Sequence, residues 1–173
     1  MDKVQRNLSQ RDDWGFISLL SSFKVKDYYS QGYIYPQDFH NIAKDLGLGL
    51  SQRESLYLQQ QLFKDGKLDY QRFMLRLVPQ FGGNKRDLLT NSFHSLRGNS
   101  KSLTFYTVQQ AFNAKQHPEY LEGGVAEYQV KQSFLRSLKN YLIVEQGQYS
   151  QMSLKAWIRF FEYYAKEKDF EYL

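Results

Sequence analysis

An all-α fold of four consecutive helix pairs, arranged as two lobes, is predicted by three observations. Apolar residues recur at the helical period along almost the whole chain. Short segments carrying glycine separate the periodic stretches. One central stretch, Pro79-Gln-Phe-Gly-Gly-Asn-Lys-Arg-Asp87, loses the period altogether and reads as a linker. The expected organisation is therefore a lobe over 1–78, a linker over 79–87 and a second lobe over 88–173. With 173 residues, 42% of them hydrophobic, such lobes can fill a core. No β-rich or alternating β/α plan fits as well.

The first helix is marked by Phe16, Leu19, Leu20 and Phe23 at i, i+3, i+4, i+7. After a segment from Lys26 to Pro36 rich in Tyr, Ser and Gly, Pro36-Gln-Asp-Phe39 starts a second helix carrying Ile42, Ala43 and Leu46, and Gly47 and Gly49 end it. Ser51 with Glu54 reads as a capping box opening a third helix through Leu58, Leu62 and Phe63. Lys64, Asp65 and Gly66 form the next turn. A fourth helix carries Tyr70, Phe73, Met74 and Leu77 until Pro79 stops it. Leu89, Phe93 and Leu96 define a fifth, Val108, Ala111 and Phe112 a sixth, and Tyr128, Phe134, Leu135 and Leu138 a seventh. Leu154, Trp157, Ile158, Phe161 and Ala165 give the eighth, followed by a polar tail from Lys166 to Asp169.

Composition narrows the function classes. With no Cys there is neither a disulfide nor a thiolate metal site, and a reducing, cytoplasmic setting is expected. No run approaches the roughly 18 apolar residues of a membrane span. The start Met-Asp-Lys-Val-Gln-Arg shows neither a signal-peptide core nor a myristoylation glycine, so no membrane attachment is expected. The net charge of +5 favours an acidic partner, although Lys and Arg are spread along the chain. Nucleic-acid binding is disfavoured, because most aromatics fall on helix core stripes and no RNP-type motif occurs. His40, His94 and His117 are far apart, with no metal-binding pair at i, i+4, no phosphate-cradling glycine loop and no nucleophile and base set, so no enzyme is expected. His117, before Pro118, reads as a turn residue.

Four helix pairs split by a linker is the layout of a two-lobed EF-hand protein. More specific segments are Phe112-Asn-Ala-Lys-Gln-His-Pro118, Gly123, Gln129-Val-Lys-Gln-Ser-Phe-Leu135, Trp157 and the pair Tyr163-Tyr164. On these residues the chain, from about Phe16 to Ala165, resembles the calcyphosin family of four-EF-hand proteins in the calmodulin superfamily. The resemblance implies four helix-loop-helix hands and, since calcyphosin-like proteins occur in motile cilia, a place in the axoneme.

The loops depart from the calcium-binding pattern, which needs oxygen ligands at positions 1, 3, 5, 7 and 9, glycine at 6 and a bidentate Glu at 12. With Gly32 at position 6, the first loop has Asp27 at 1, Tyr29 at 3, Gln31 at 5 and the shorter Asp38 at 12. At best it holds calcium on the order of millimolar, or magnesium. The bland reading makes Asp27 and Asp38 solvated loop and capping acids. The second loop has Gln61 at 1, Phe63 at 3 and Arg72 at 12, where a cation repels the metal. The third, Arg97 to Thr107, contains no acid and adds Arg97 and Lys101. The fourth, read as a lengthened loop from Lys139 to Ala156, has Glu145 alone as an acid. Calcium binding is thus expected to be lost and no cofactor is expected. Position-8 residues Ile34 and Leu68, and likewise Leu103 and Met152, remain suited to pair in a short antiparallel bridge.

Two surfaces are candidates for contacting a partner. Tyr28, Tyr29, Tyr33 and Tyr35 can form an aromatic contact surface, against the bland alternative that two of them fold inward. Arg97 and Lys101 can dock an acidic partner, against ordinary solvation of loop cations. The expected function is a non-enzymatic, calcium-independent structural or binding protein of the cytoskeleton, in the ciliary axoneme, with tubulin or another axonemal protein as partner. The alternative is a light-chain-like module gripping an amphipathic helix of a motor or other cytoplasmic protein, which requires an open apolar groove. Only Met1, Met74 and Met152 are available for such a groove, where promiscuous grooves are Met-rich.

Overall fold

A computed structural model describes residues 2–9 and 15–164. The chain is mostly helical, as expected. It divides into two compact units, Met1–Gln80 and Phe81–Leu173. Ala165 and the tail to Leu173 lie outside the described residues, so the expectations placed on them are left there.

In the first unit the order is α1 (Asp2–Ser9), α2 (Gly15–Lys26), β1 (Tyr33–Ile34), α3 (Pro36–Asp45), α4 (Gln52–Leu62), β2 (Leu68–Asp69) and α5 (Tyr70–Leu77). The apolar stripes close on one core, in which Phe23, fully buried, meets Phe39, Tyr70 and Phe73 at ring-centroid separations of 6.5, 5.6 and 5.9 Å. Ser51 and Glu54 make the capping box that opens α4. The Ser51 amide, aided by the Lys3 ammonium, pulls the Glu54 carboxyl down to about 2. Helix α1 was not expected, because an apolar pair, Val4 and Leu8, within a polar stretch is too little to define a period. Both are buried, and the helix is tied down by Lys3 Nζ on Glu54 at 2.9 Å and by Asn7 Nδ2 donating to the Leu48 carbonyl at 2.7 Å. A Cβ on Gly15 would lie 2.2 Å from the Leu8 carbonyl oxygen, so only glycine permits this approach of α1 to α2.

In the second unit the order is α6 (Gly83–Arg97), β3 (Leu103–Thr104), α7 (Phe105–Ala111), a 3-10 turn (Ala114–Gln116), α8 (Pro118–Leu121), α9 (Glu127–Gln146), β4 (Gln151–Met152) and α10 (Leu154–Tyr164). Two corrections arise here. The expected linker 79–87 is irregular only as far as Gly82, which caps α6, and 83–87 are helical. These residues show no apolar period because the first turns of α6 are exposed, and solvated turns do not need one. The expected fourth loop, Lys139 to Ala156, is helical to Gln146, since buried Tyr141 and Leu142 continue the stripe of Val130, Phe134 and Leu138. Gly147, in the left-handed region at φ 72°, ends the helix. Trp157 Nε1 donates to the Leu89 carbonyl at 3.1 Å and ties α10 to α6.

Among the described residues each unit contains one two-stranded antiparallel ladder. Ile34 faces Leu68 in the first and Leu103 faces Met152 in the second, the two pairings expected from the sequence.

Candidate functional site

The first loop runs from the end of α2 into β1. Asp27 follows α2 directly and is buried, at 8% exposure. Its Oδ1 accepts the Gln31 N–H at 2.8 Å, and its Oδ2 accepts the Gly32 N–H at 2.7 Å and the Tyr70 hydroxyl at 3.0 Å. The chain can turn back onto the carboxylate because Gly32 takes φ 84°. Burial pushes the Asp27 carboxyl up, but the two amides and the Tyr70 hydroxyl outweigh it and hold the group below its usual range. Both carboxylate oxygens therefore serve the protein itself. Asp38 lies in the first turn of α3, half-buried, and does not join them. Among the described residues no group of three or more His, Cys, Asp and Glu is placed to hold a metal ion.

The tyrosines of this loop separate into two kinds. Tyr28 and Tyr29 are 75% and 83% exposed at the loop tip, and Tyr35 is exposed as well. Tyr33 is half-buried, edge-on to Tyr35 at 5.9 Å, with Lys67 Nζ 4.2 Å above its ring. None of the four folds into the core, so the inward alternative does not hold: the interior they would enter is filled by Phe23, Ile34, Phe39 and Tyr70.

In the second unit, Arg97 ends α6 half-buried and Lys101 is exposed on the following loop. The loop before β4 is organised by neutral side chains. Gln146 and Gln148 each donate through Nε2 to the Gln151 carbonyl, at 2.7 and 2.9 Å. Gln148 Oε1 in turn accepts the Ser150 hydroxyl at 2.9 Å and the Gln151 N–H at 3.2 Å. Amide side chains thus supply here the oxygen and N–H partners a loop backbone needs.

A cavity of about 380 Å³ opens between α6, α7, α9 and α10, walled by Leu89, Val108, Phe112, Phe134, Trp157 and Phe161. Asn113, Gln116 and His117 bring polar atoms to its lining. Its size suits one or two apolar side chains. Reading helix by helix missed it, since its walls come from four stripes each interpreted as core; the signal was the stretch Phe112 to Pro118, where aromatic and turn residues mix. His117 is the turn residue expected, its Nδ1 accepting the Glu119 N–H at 3.3 Å at the start of α8. His40 and His94 are exposed and belong to other elements. Among the described residues no helix is long and apolar enough to cross a membrane. No protein-family model matches the chain.

Proposed function

We propose that the chain is a non-enzymatic EF-hand-like protein of the calcyphosin type, with four degenerate hands in two lobes, that binds a protein partner constitutively and without calcium. The observation that carries this reading is Asp27. The acid at the first metal position spends both oxygens on Gln31, Gly32 and Tyr70, donors that do part of the work of an ion. Paired ladders in both units and the glutamine-held loop before β4 support the same view. Switching by calcium requires an affinity difference between two states, and loops without ligands have no such lever.

The resemblance extends the proposal to a structural role in the ciliary axoneme, where acidic tubulin suits a partner of charge +5. The light-chain-like alternative is favoured by one feature, the apolar cavity of the second unit, which fits an anchor side chain of an amphipathic helix.

Calcium at the expected millimolar dissociation constant adds about 0.4 kcal/mol. The melting temperature in calcium should therefore match that in chelator to within about 3 °C; a rise of about 10 °C or more would mean a working metal site. Location is tested by following the native protein through detergent and high-salt extraction of cilia. Retention with the doublet microtubules is the expected result. Release with the motor fraction favours the light-chain-like module, and absence from cilia removes the axonemal role.

A further inference from the structure

The second loop of the first unit carries a charge opposite to that of a metal site. Lys64, Lys67, Arg72 and Arg76 line one recess of about 280 Å³ between the loop and α5, together with Tyr33 and Asp69. Four cations thus face one acid in the lining and a second, Asp65, on the adjoining turn close enough to act on Lys67, and Asp69 Oδ1 accepts the backbone N–H of Arg72 at 2.9 Å. Among the described residues none of the four cations has a carboxylate within ion-pair distance. Lys64, Arg72 and Arg76 are exposed, so their charges remain available to a ligand arriving from solvent. Holding four like charges together in one recess is unfavourable until an anion neutralises them.

We propose that this recess binds an extended acidic segment of a polypeptide. The α5 wall has the spacing that such a ligand needs. Arg72 and Arg76 stand at i, i+4 on α5, about 5–6 Å apart at Cβ. In an extended chain, alternate side chains lie about 6.6 Å apart on one face, so two glutamates at i, i+2 meet the two guanidinium groups in register. Guanidinium recognises carboxylate through two parallel hydrogen bonds. Lys64 and Lys67 form the opposite wall, joined by reciprocal backbone hydrogen bonds of 2.9 Å that hold the two residues in a fixed relation. Lys67 is steadied further over the Tyr33 ring at 4.2 Å. A nucleic acid is less well served, because the face of Tyr33, the one tyrosine of the recess, is already covered by Lys67 and offers no free stacking platform. Capture of an acidic segment is separate from the axonemal role and from the absence of calcium switching, and stands or falls without them.

The test is a titration of fluorescein-labelled octaglutamate into the full chain at low ionic strength, read by anisotropy. Saturable binding that weakens with added salt is expected. An Arg72→Gln/Arg76→Gln double variant should lose about tenfold in affinity, and Lys64→Gln/Lys67→Gln should do the same from the other wall. Arg136→Gln/Lys155→Gln, which removes the same charge from the second unit, should bind like the wild type, with folding of all three variants checked by circular dichroism. Absence of saturable binding, an equal loss in the charge-matched control, or binding of a single-stranded oligothymidylate of equal charge as tight as that of the peptide would each overturn the proposal.

Discussion

Replacing Phe160 by Ala destabilises the second unit by about 3–5 kcal/mol. Phe160 is completely buried in the middle of α10, with rings on every side. Phe134 and Phe161 meet it edge-on at 5.6 and 5.1 Å, Tyr141 is tilted at 5.8 Å, and Tyr164 stacks on it at 5.1 Å. Truncation removes the transfer free energy of the ring and the aromatic pair geometry, about 0.5–1.5 kcal/mol for each good pair. It also leaves a cavity that the neighbouring rings, held on α9 and α10, cannot collapse to fill. Phe160→Leu keeps most of the volume and should retain more than half of the lost stability. Urea unfolding reads the effect through Trp157, in a Trp14→Phe background that leaves one tryptophan to report. A loss below about 1 kcal/mol for Phe160→Ala would mean that this aromatic cluster is not the structural centre of the unit.

The same cluster explains which parts of the fold could be read in the sequence. Long stripes such as Leu154, Trp157, Ile158 and Phe161 carry the helical period in side chains that must be buried, and burial is what a hydrophobic pattern records. The register of the ladders was legible for a similar reason: Ile34, Leu68, Leu103 and Met152 are apolar residues set at equivalent places in otherwise polar loops, and all four are buried. Boundaries were legible where a stripe stopped or a capping signal stood, as Pro36 and the Ser51 and Glu54 box do at the starts of α3 and α4. Residues 83–87 form exposed helical turns with no apolar mark, and Val4 and Leu8 make a stripe too short to recognise. Asp27 and Gly32 could be named as a turn around an acid, but Tyr70, more than forty residues on, could not be identified as the third donor, because only folding brings α5 against that loop. The cationic recess was hidden in the same way. Arg72 and Arg76 signalled it by sharing one face of α5, yet Lys64 and Lys67 join them only through the turn before β2.

Asp27→Ala should cost the first unit about 3 kcal/mol and lower its melting temperature by more than about 10 °C. The substitution leaves the Gln31 and Gly32 amides without their carboxylate acceptor and takes from the Tyr70 hydroxyl the oxygen it donates to, at a site where Tyr70 is itself buried at 3% exposure. Asp27→Asn recovers only part of the loss, since one oxygen remains and the other becomes an NH2 group facing donors. Tyr70→Phe removes a single donor and should cost about 1 kcal/mol. The pH dependence follows from the lowered pKa. A carboxyl depressed in the folded state contributes stability that is complete above its unfolded value, near 3.9, and is lost as pH falls through the folded value. The difference between wild type and Asp27→Ala should therefore be constant from neutrality down to about pH 5 and shrink progressively below about pH 4. Calcium separates this account from a metal-site account. If Asp27 is there to bind an ion, the cost of Asp27→Ala grows when calcium is added, because the wild type gains a ligand that the variant cannot hold. If the carboxylate serves the loop amides and Tyr70, the cost is the same in calcium and in chelator, and Asp27 acts as a fixed hydrogen-bond acceptor joining the two halves of the unit.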